Sequence, residues 1–395
     1  MEMFMPWAAF ALLGVVLFGA VVLIASKLLL FPKDSAVNQD KYLGKHENPA
    51  EIYADAPNGV FYSPFNIAVA EMDQLLLIDI ADDPDFSGIE LQTFSDARGQ
   101  GARVILYRHK GSSESYYSDK KFEGDKSEQL SEYPASDMEY QIVDSTSGLH
   151  ASLKMKDRGE RMIEFQVDDA PSKRTSTGFL APVGGGSAVT FNYFPFFHMK
   201  GMHFVSRADG DIKVSIGGEA RTPTKLPIPS DWQLAYLTRN SPSPILGHWN
   251  APQSGPLTPL RPDERLTCED GTTRYDLVDN AGHYEIRRLV GANEHHEVDF
   301  IFSPPVPDLA ALRDGILRKG RFTAGADGVT GIVAGEFQVQ RHGNLINMVI
   351  HPLEGWQPVP GEPWVRSWQW HAVLTRSDEG TLSIEAGWTR SKGKI

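Results

Sequence analysis

The residues with the most chemistry to offer are gathered in FNYFPFFHMKGMHF, Phe191 to Phe204, where six aromatic rings, two histidines and two methionines fall within fourteen residues. Rings and thioethers supply area against which a bulky apolar molecule can be buried, and a few donors suffice to orient it. Tyr193 and His198 are such donors. Glu219 is a carboxylate further downstream. Tyr193, His198 or Glu219 would orient a ligand's polar end, and a desolvated carboxyl group in such a pocket would be suited to protonating an alkene, since burial raises a carboxyl pKa. A second concentration of rings, Trp356, Trp364, Trp368, Trp370 and Trp388, comes late in the chain. On a strand through VRSWQWHAVLTR, Trp368 and Trp370 face one way with Arg366, and His371 faces the other. The expected ligand-contacting set is therefore Phe191, Tyr193, Phe196, His198, Met202, Glu219, Trp368 and Trp370. The spacing names no catalytic residue.

Each cluster also fits a plain structural role. If 189–197 is a strand, Phe191, Tyr193 and Pro195 share one face and Asn192, Phe194 and Phe196 the other, so rings occupy both. A strand covered on both sides has that pattern. So does one whose second face lines a pocket, an interface or a membrane surface. The tryptophans likewise suit packing at the end of a barrel.

Several chemistries lack their motifs. The chain has no G-x-x-x-x-G-K-[ST] loop, no G-x-G-x-x-G after a strand, no G-x-S-x-G elbow and no H-E-x-x-H. No cofactor and no metal is expected. A net charge of −13 argues against a nucleic-acid partner, which needs phosphate neutralisation. The single cysteine, Cys268, excludes an intrachain disulfide.

The elements that must position these groups are mostly strands. Short alternating or β-branched segments, IELQTF, RVILYR, MEYQIV, HASLKMK, RMIEFQVD, AVTFNYF and IKVSIGG, are separated by turn signals such as RGQG and RADGD. A Pro-rich span from Pro223 to Pro262 interrupts the rhythm, although WQLAYLT within it suits a strand. The rhythm resumes in TRYDLVD, HYEIRRLV, EVDFIFS, GIVAGEFQVQR, LINMVIHP, WQWHAVLTR and TLSIEAGWTR. One soluble helix is expected in PDLAALRDGILRK, with Leu309, Leu312 and Ile316 on one face and Asp308 as N-cap. The expected fold is all-β, two tandem antiparallel barrels or sandwiches, with a first β domain over 57–250 and a second over 251–395.

Ahead of them, Phe4 to Ser26 carries no charge and is long enough to cross a bilayer as a helix. The expected organisation is a transmembrane anchor over 4–31, Phe4 to Phe31, and a polar tether over 32–56. Lys27 and Lys33 flank the apolar run on its far side, while Glu2 and no basic residue precedes it. The positive-inside rule then places the β domains on the cytoplasmic side of the inner (cell) membrane, behind a single pass.

The stretch RMIEFQVDDAPSKRTSTGFLAPVGGGSAVTFNYFPFFHMKGMHFVSRADGDIKVSIGGEA resembles the middle of the AttH and carotenoid 1,2-hydratase-like proteins. The matching pieces are Tyr193, Pro195, Gly201, Asp209-Gly210, Val214 and Gly217 or Gly218, and GVTGIVAGEFQVQRHGNLINMVIHPLEGWQP is similar to the closing barrel of that family. The resemblance covers about a third of the chain. It implies a pair of lipocalin-like barrels that bind or transform isoprenoids, polyketides and other apolar molecules. The family's W-x-D-H-type continuation is replaced here by GGEARTPTKLP, which removes the acid expected there.

Two functions follow. One is a membrane-anchored binder of a hydrophobic lipid, isoprenoid or polyketide-like molecule, with or without hydratase, isomerase or cyclase activity. The other is a non-enzymatic membrane-tethered scaffold for a protein complex.

Overall fold

The computed structural model describes residues 48–96, 99–119, 130–170, 176–182, 192–207, 210–230, 233–271, 273–293, 295–326, 329, 331–355 and 364–390. The expected anchor, most of the tether, and Phe191 lie outside the described residues.

Alternation in the sequence becomes strand almost throughout. In RMIEFQVD, Ile163, Phe165 and Val167 are buried while Glu164 and Gln166 point away, the period of two that a half-covered strand requires. The fold is all-β and includes a curled half-barrel sheet.

The first sheet runs β1 (Ile67–Glu71), β16 (Ile245–Trp249), β11 (Phe194–Ser206), β15 (Gln233–Pro242), β2 (Gln74–Asp79), β3 (Phe86–Asp96), β4 (Gly99–Arg108), β5 (Ser113–Tyr117) and β6 (Leu130–Pro134). Two further strands join it, β10 (Thr177–Pro182) beside β11 and β14 (Lys225–Ser230) beside β15. The second sheet is β13 (Glu219–Arg221), β12 (Gly210–Ile216), β9 (Met162–Asp169), β8 (Gly148–Lys156) and β7 (Glu139–Ser145). The third is a meander of β18 (Thr267–Asp270), β19 (Thr273–Asn280), β20 (His283–Ala292), β21 (Glu297–Val306), β22 (Leu317–Gly325), β23 (Val333–His342), β24 (Leu345–Gly355), β25 (Trp368–Arg376) and β26 (Leu382–Arg390). Here β17 (Gln253–Pro256) completes the edge beside β26.

The first and second sheets form a sandwich. Leu76 and Ile78 of β2, Ile89 and Leu91 of β3 and Val104 of β4 meet Leu153, Phe165 and Val214 of the second sheet in one core. The third sheet's core takes rings from elsewhere in the chain. Phe194 and Phe196 of β11 and Trp249 of β16 pack with Phe300, Phe322 and Trp370 in a single cluster. Trp249 lies 4.5 Å from Phe300, and its carbonyl accepts a hydrogen bond from Trp388 Nε1 at 2.9 Å.

The segment before β1 is also tied to the third sheet. The short helix α1 (Pro49–Ile52), capped by the Asn48 side chain, leads to Tyr53, which forms a bridge with Leu312. Tyr53 Oη donates to buried Glu285 at 2.6 Å, and its ring stacks on His283 at 3.9 Å.

Three local expectations are corrected. PDLAALRDGILRK is not a helix: 309–311 is a turn, Leu312 is a bridge residue and β22 begins at Leu317. Leu309 and Leu312 are buried by tertiary packing instead, Arg341 holds the Leu312 carbonyl, and Gly315 has a φ of +79°, which no helix tolerates. Asp308 does not cap a helix but bonds Ala310 N and His283 within a turn. Second, the strand through the aromatic run starts at Phe194, so Asn192 and Tyr193 precede it. Third, Arg366 belongs to a 3₁₀ turn, Trp364–Ser367, ahead of β25 and does not share its pleat with Trp368.

Candidate ligand-binding site

Strands β2 and β3 each send alternate residues to opposite faces. Because Leu76 and Ile78 enter the sandwich, Leu75, Leu77 and Asp79 are left on the other face. Ile89 and Leu91 likewise leave Gly88, Glu90, Gln92 and Phe94 there. The register sets Leu77 opposite Glu90, Leu75 opposite Gln92 and Asp79 opposite Gly88. On β4, Ile105 stands opposite Glu90 and Tyr107 opposite Gly88. On the other side β15 brings Arg239 opposite Leu77, and β11 brings Phe204 opposite Arg239. One row therefore reads Phe204, Arg239, Leu77, Glu90, Ile105 across five strands.

The apolar part of this face is a cluster separate from both larger cores. Met72, Leu75, Phe179, Ala181, Met199 and Met202 are buried in it, with Leu77, Phe94, Phe197 and Phe204 packed against them. Three methionines in so small a cluster give a surface that adapts to irregular apolar shapes.

The polar part is built around two carboxylates. Glu90 is 4% exposed and is held by Tyr107 Oη at 2.6 Å and Gln92 Nε2 at 2.5 Å. Asp79 pairs with Arg239 Nη2. Burial pushes the Asp79 carboxyl above its ordinary range, and the neighbouring guanidinium only partly offsets this. Gly88 lies between Asp79 and Tyr107 in the register and adds no side chain, so the two flank bare backbone. Such a face can bury a hydrocarbon against methionine and phenylalanine and meet a polar end with a phenol, a guanidinium and a carboxyl group. A carboxyl group with a raised pKa is also a proton donor.

The residues singled out in the sequence are distributed over several places. Met202 belongs to this face. Phe196, Trp368 and Trp370 lie together in the third sheet's core, all nearly inaccessible. Tyr193 stacks on His248 with ring centroids 4.0 Å apart. His198 is buried with its Nδ1 3.3 Å from His296 Nδ1, and His296 Nε2 donates to the Ser243 carbonyl at 2.5 Å. Burial, His296 and Lys200 hold His198 down to about 3, so it is neutral. Glu219 is exposed on β13 and bonds Arg221 at 2.7 Å, remote from the methionine cluster in the sheet order. Asp79, Glu90, Gln92, Tyr107 and Arg239 were not singled out by sequence reasoning. The one signal near them is in LLLID, where Leu75 and Leu77 on one parity and Leu76 and Ile78 on the other are all apolar, which an ordinary half-exposed strand does not need.

No family model, no curated protein and no solved structure matches the chain. Among the described residues no helix is long and apolar enough to cross a membrane, and no three His, Cys, Asp or Glu side chains converge as a metal-ligand set.

Proposed function

We propose that the chain binds a hydrophobic small molecule, a lipid, isoprenoid or polyketide-like compound with one polar end, on the first-sheet face. The observation that carries this reading is the juxtaposition of the Met199–Met202 cluster with Glu90, Tyr107, Asp79 and Arg239 on one side of one sheet. The hydrocarbon lies against Leu77, Phe94, Phe204 and the methionines, and the polar end is met by Tyr107 and Arg239. In the enzymatic form of this reading Asp79, in its protonated form, gives its proton to one alkene carbon as the π bond breaks, water or an internal hydroxyl adds to the cation formed at the other carbon, and the proton that this oxygen releases returns to the Asp79 carboxylate.

The wider organisation belongs to the same proposal. The apolar run Phe4 to Phe31 anchors the chain by a single pass, the β domains at 57–250 and 251–395 are lipocalin-like and lie on the cytoplasmic side, and the anchor shortens the ligand's path from bilayer to face. Support for the lipocalin-like reading comes from the up-and-down order of the third sheet.

The test is a fluorescence titration of the full chain in maltoside micelles with cis-parinaric acid, an apolar polyene with one carboxylate. Saturable binding that Leu77→Trp abolishes supports the reading, because the indole fills the junction between the cluster and Glu90. Binding of equal strength in wild type and Leu77→Trp overturns it.

A further inference from the structure

Strand β15 turns two buried donors towards the methionine-lined face. Asn240 reaches the second sheet, where its Nδ2 donates to Asp144 of β7 at 2.8 Å, so its neighbours Arg239 and Ser241 point to the opposite side. Arg239 Nη2 accordingly pairs with Asp79. Ser241 stands opposite Leu75, which is buried in the methionine cluster.

Each of the two residues keeps a polar hydrogen without an acceptor. Ser241 is 0% exposed, and its hydroxyl has no hydrogen-bond partner among the described residues. Arg239 Nε is likewise buried without a partner there, although Nη2 holds Asp79. Glu90 does not serve them, because its two oxygens are taken by Tyr107 and Gln92. A buried donor left unmatched costs free energy that a ligand's acceptor oxygen would recover. An amine would bring protons to protons. The donors stand two residues apart, about 7 Å along the strand, so a group with two acceptor oxygens on one carbon meets both more readily than a single hydroxyl, whose own proton also needs an acceptor.

We infer that the polar end of the ligand is a carboxyl-type group, a carboxylate or an ester, with one oxygen accepting from Ser241 Oγ and the other from Arg239 Nε. Ser241 is then the residue that selects this group. The inference rests on the ligand reading proposed above for the same face. A free acid and its ester present the same pair of oxygens, and the chemistry at Ser241 is shared.

The test is a fluorescence titration of the full chain in maltoside micelles with three polyenes that differ only at the polar end: cis-parinaric acid, its methyl ester and the corresponding alcohol. The acid or the ester should bind at least fivefold more tightly than the alcohol. Ser241→Ala should abolish that preference, as should Arg239→Lys, which keeps a positive charge beside Asp79 but lacks Nε. Tighter binding of the acid assigns a free carboxylate, and tighter binding of the ester an acyl ester. Without ligand, Ser241→Ala should unfold at the same or a higher urea concentration, because it removes an unpaired hydroxyl. A lower midpoint would show that the hydroxyl is bonded within the fold and would overturn the inference. An alcohol bound as tightly as the acid and the ester, or a preference that survives in Ser241→Ala, overturns it too and leaves the ligand-binding reading standing. If none of the three polyenes binds, that reading falls and the inference falls with it.

Discussion

Leu77 on β2 stands directly opposite Glu90 on β3, so a residue of the methionine and phenylalanine cluster and a carboxylate only 4% exposed are cross-strand neighbours on the same face. A buried carboxylate is tolerated only while its oxygens are hydrogen-bonded, and here each has a donor, one from Tyr107 and one from Gln92. Tyr107→Phe removes one of them. The expected result is a loss of about 1.5–3 kcal/mol in urea unfolding, together with weaker ligand binding. A variant as stable as the wild type would show that Glu90 does not rely on Tyr107.

Gly247 of β16 lies under the ring of Phe196, where a Cβ would meet the ring at 2.1 Å. Phe196 is itself fixed against Phe300, with centroids 5.6 Å apart, so the ring has little room to withdraw. Gly247→Ala should destabilise the fold by about 1–3 kcal/mol through overpacking, read as a lower urea midpoint at unchanged slope. The smaller Phe196→Leu added to Gly247→Ala should restore part of that loss.

Stability should fall on acidification because of two buried histidines. His198 is lowered to about 3 and His248 to about 4, in both cases with burial as the first cause. The unfolded chain protonates its histidines near the usual value of about 6.5, before the folded chain does, so stability drops progressively as pH falls from there through about 4 and about 3. Asp79 acts in the opposite sense: its raised carboxyl takes up a proton first in the folded state and adds stability on acidification. Unfolding free energy measured against pH should therefore show a shallower acid limb in His198→Gln than in wild type, by one proton's worth of slope. Parallel limbs would mean that His198 titrates normally in the fold.

The strand content was legible because period-two burial survives in the sequence: RMIEFQVD and WQWHAVLTR alternate in the structure as they do on the page. PDLAALRDGILRK misled because its apolar spacing fits a helix, whereas Leu312 is recruited as a bridge partner of Tyr53, a residue far away in the chain. The candidate site was mostly hidden for a related reason. Asp79 and Glu90 sit in unremarkable strand sequences, and only the register among β11, β15, β2, β3 and β4 places them beside Leu77, Tyr107 and Arg239. Met202 was accessible from sequence because methionine and aromatic density is local.

One buried phenol adds to the backbone bridges that hold the segment before β1. Tyr53 Oη donates to Glu285 at 2.6 Å and also receives Asp308 N at 3.3 Å, and burial raises the Tyr53 pKa so that the proton stays on the oxygen. Tyr53→Phe should cost about 1.5–3 kcal/mol, as expected for a hydrogen bond to a charged group. Amide exchange over 48–66 should accelerate at least tenfold while that of β8 and β9 is unchanged. Uniform acceleration would indicate that this segment unfolds only with the whole molecule.

The central claim, a hydrophobic ligand on the first-sheet face, is tested most directly by native mass spectrometry with solvent extraction on the full chain released from maltoside micelles. The account predicts a stoichiometric adduct of an apolar molecule carrying one polar end, present on the wild type and on Glu219→Gln and absent from Leu77→Trp. A wild-type chain of bare sequence mass after extraction of the membranes in which it was made, or an adduct retained in full by Leu77→Trp, would contradict it.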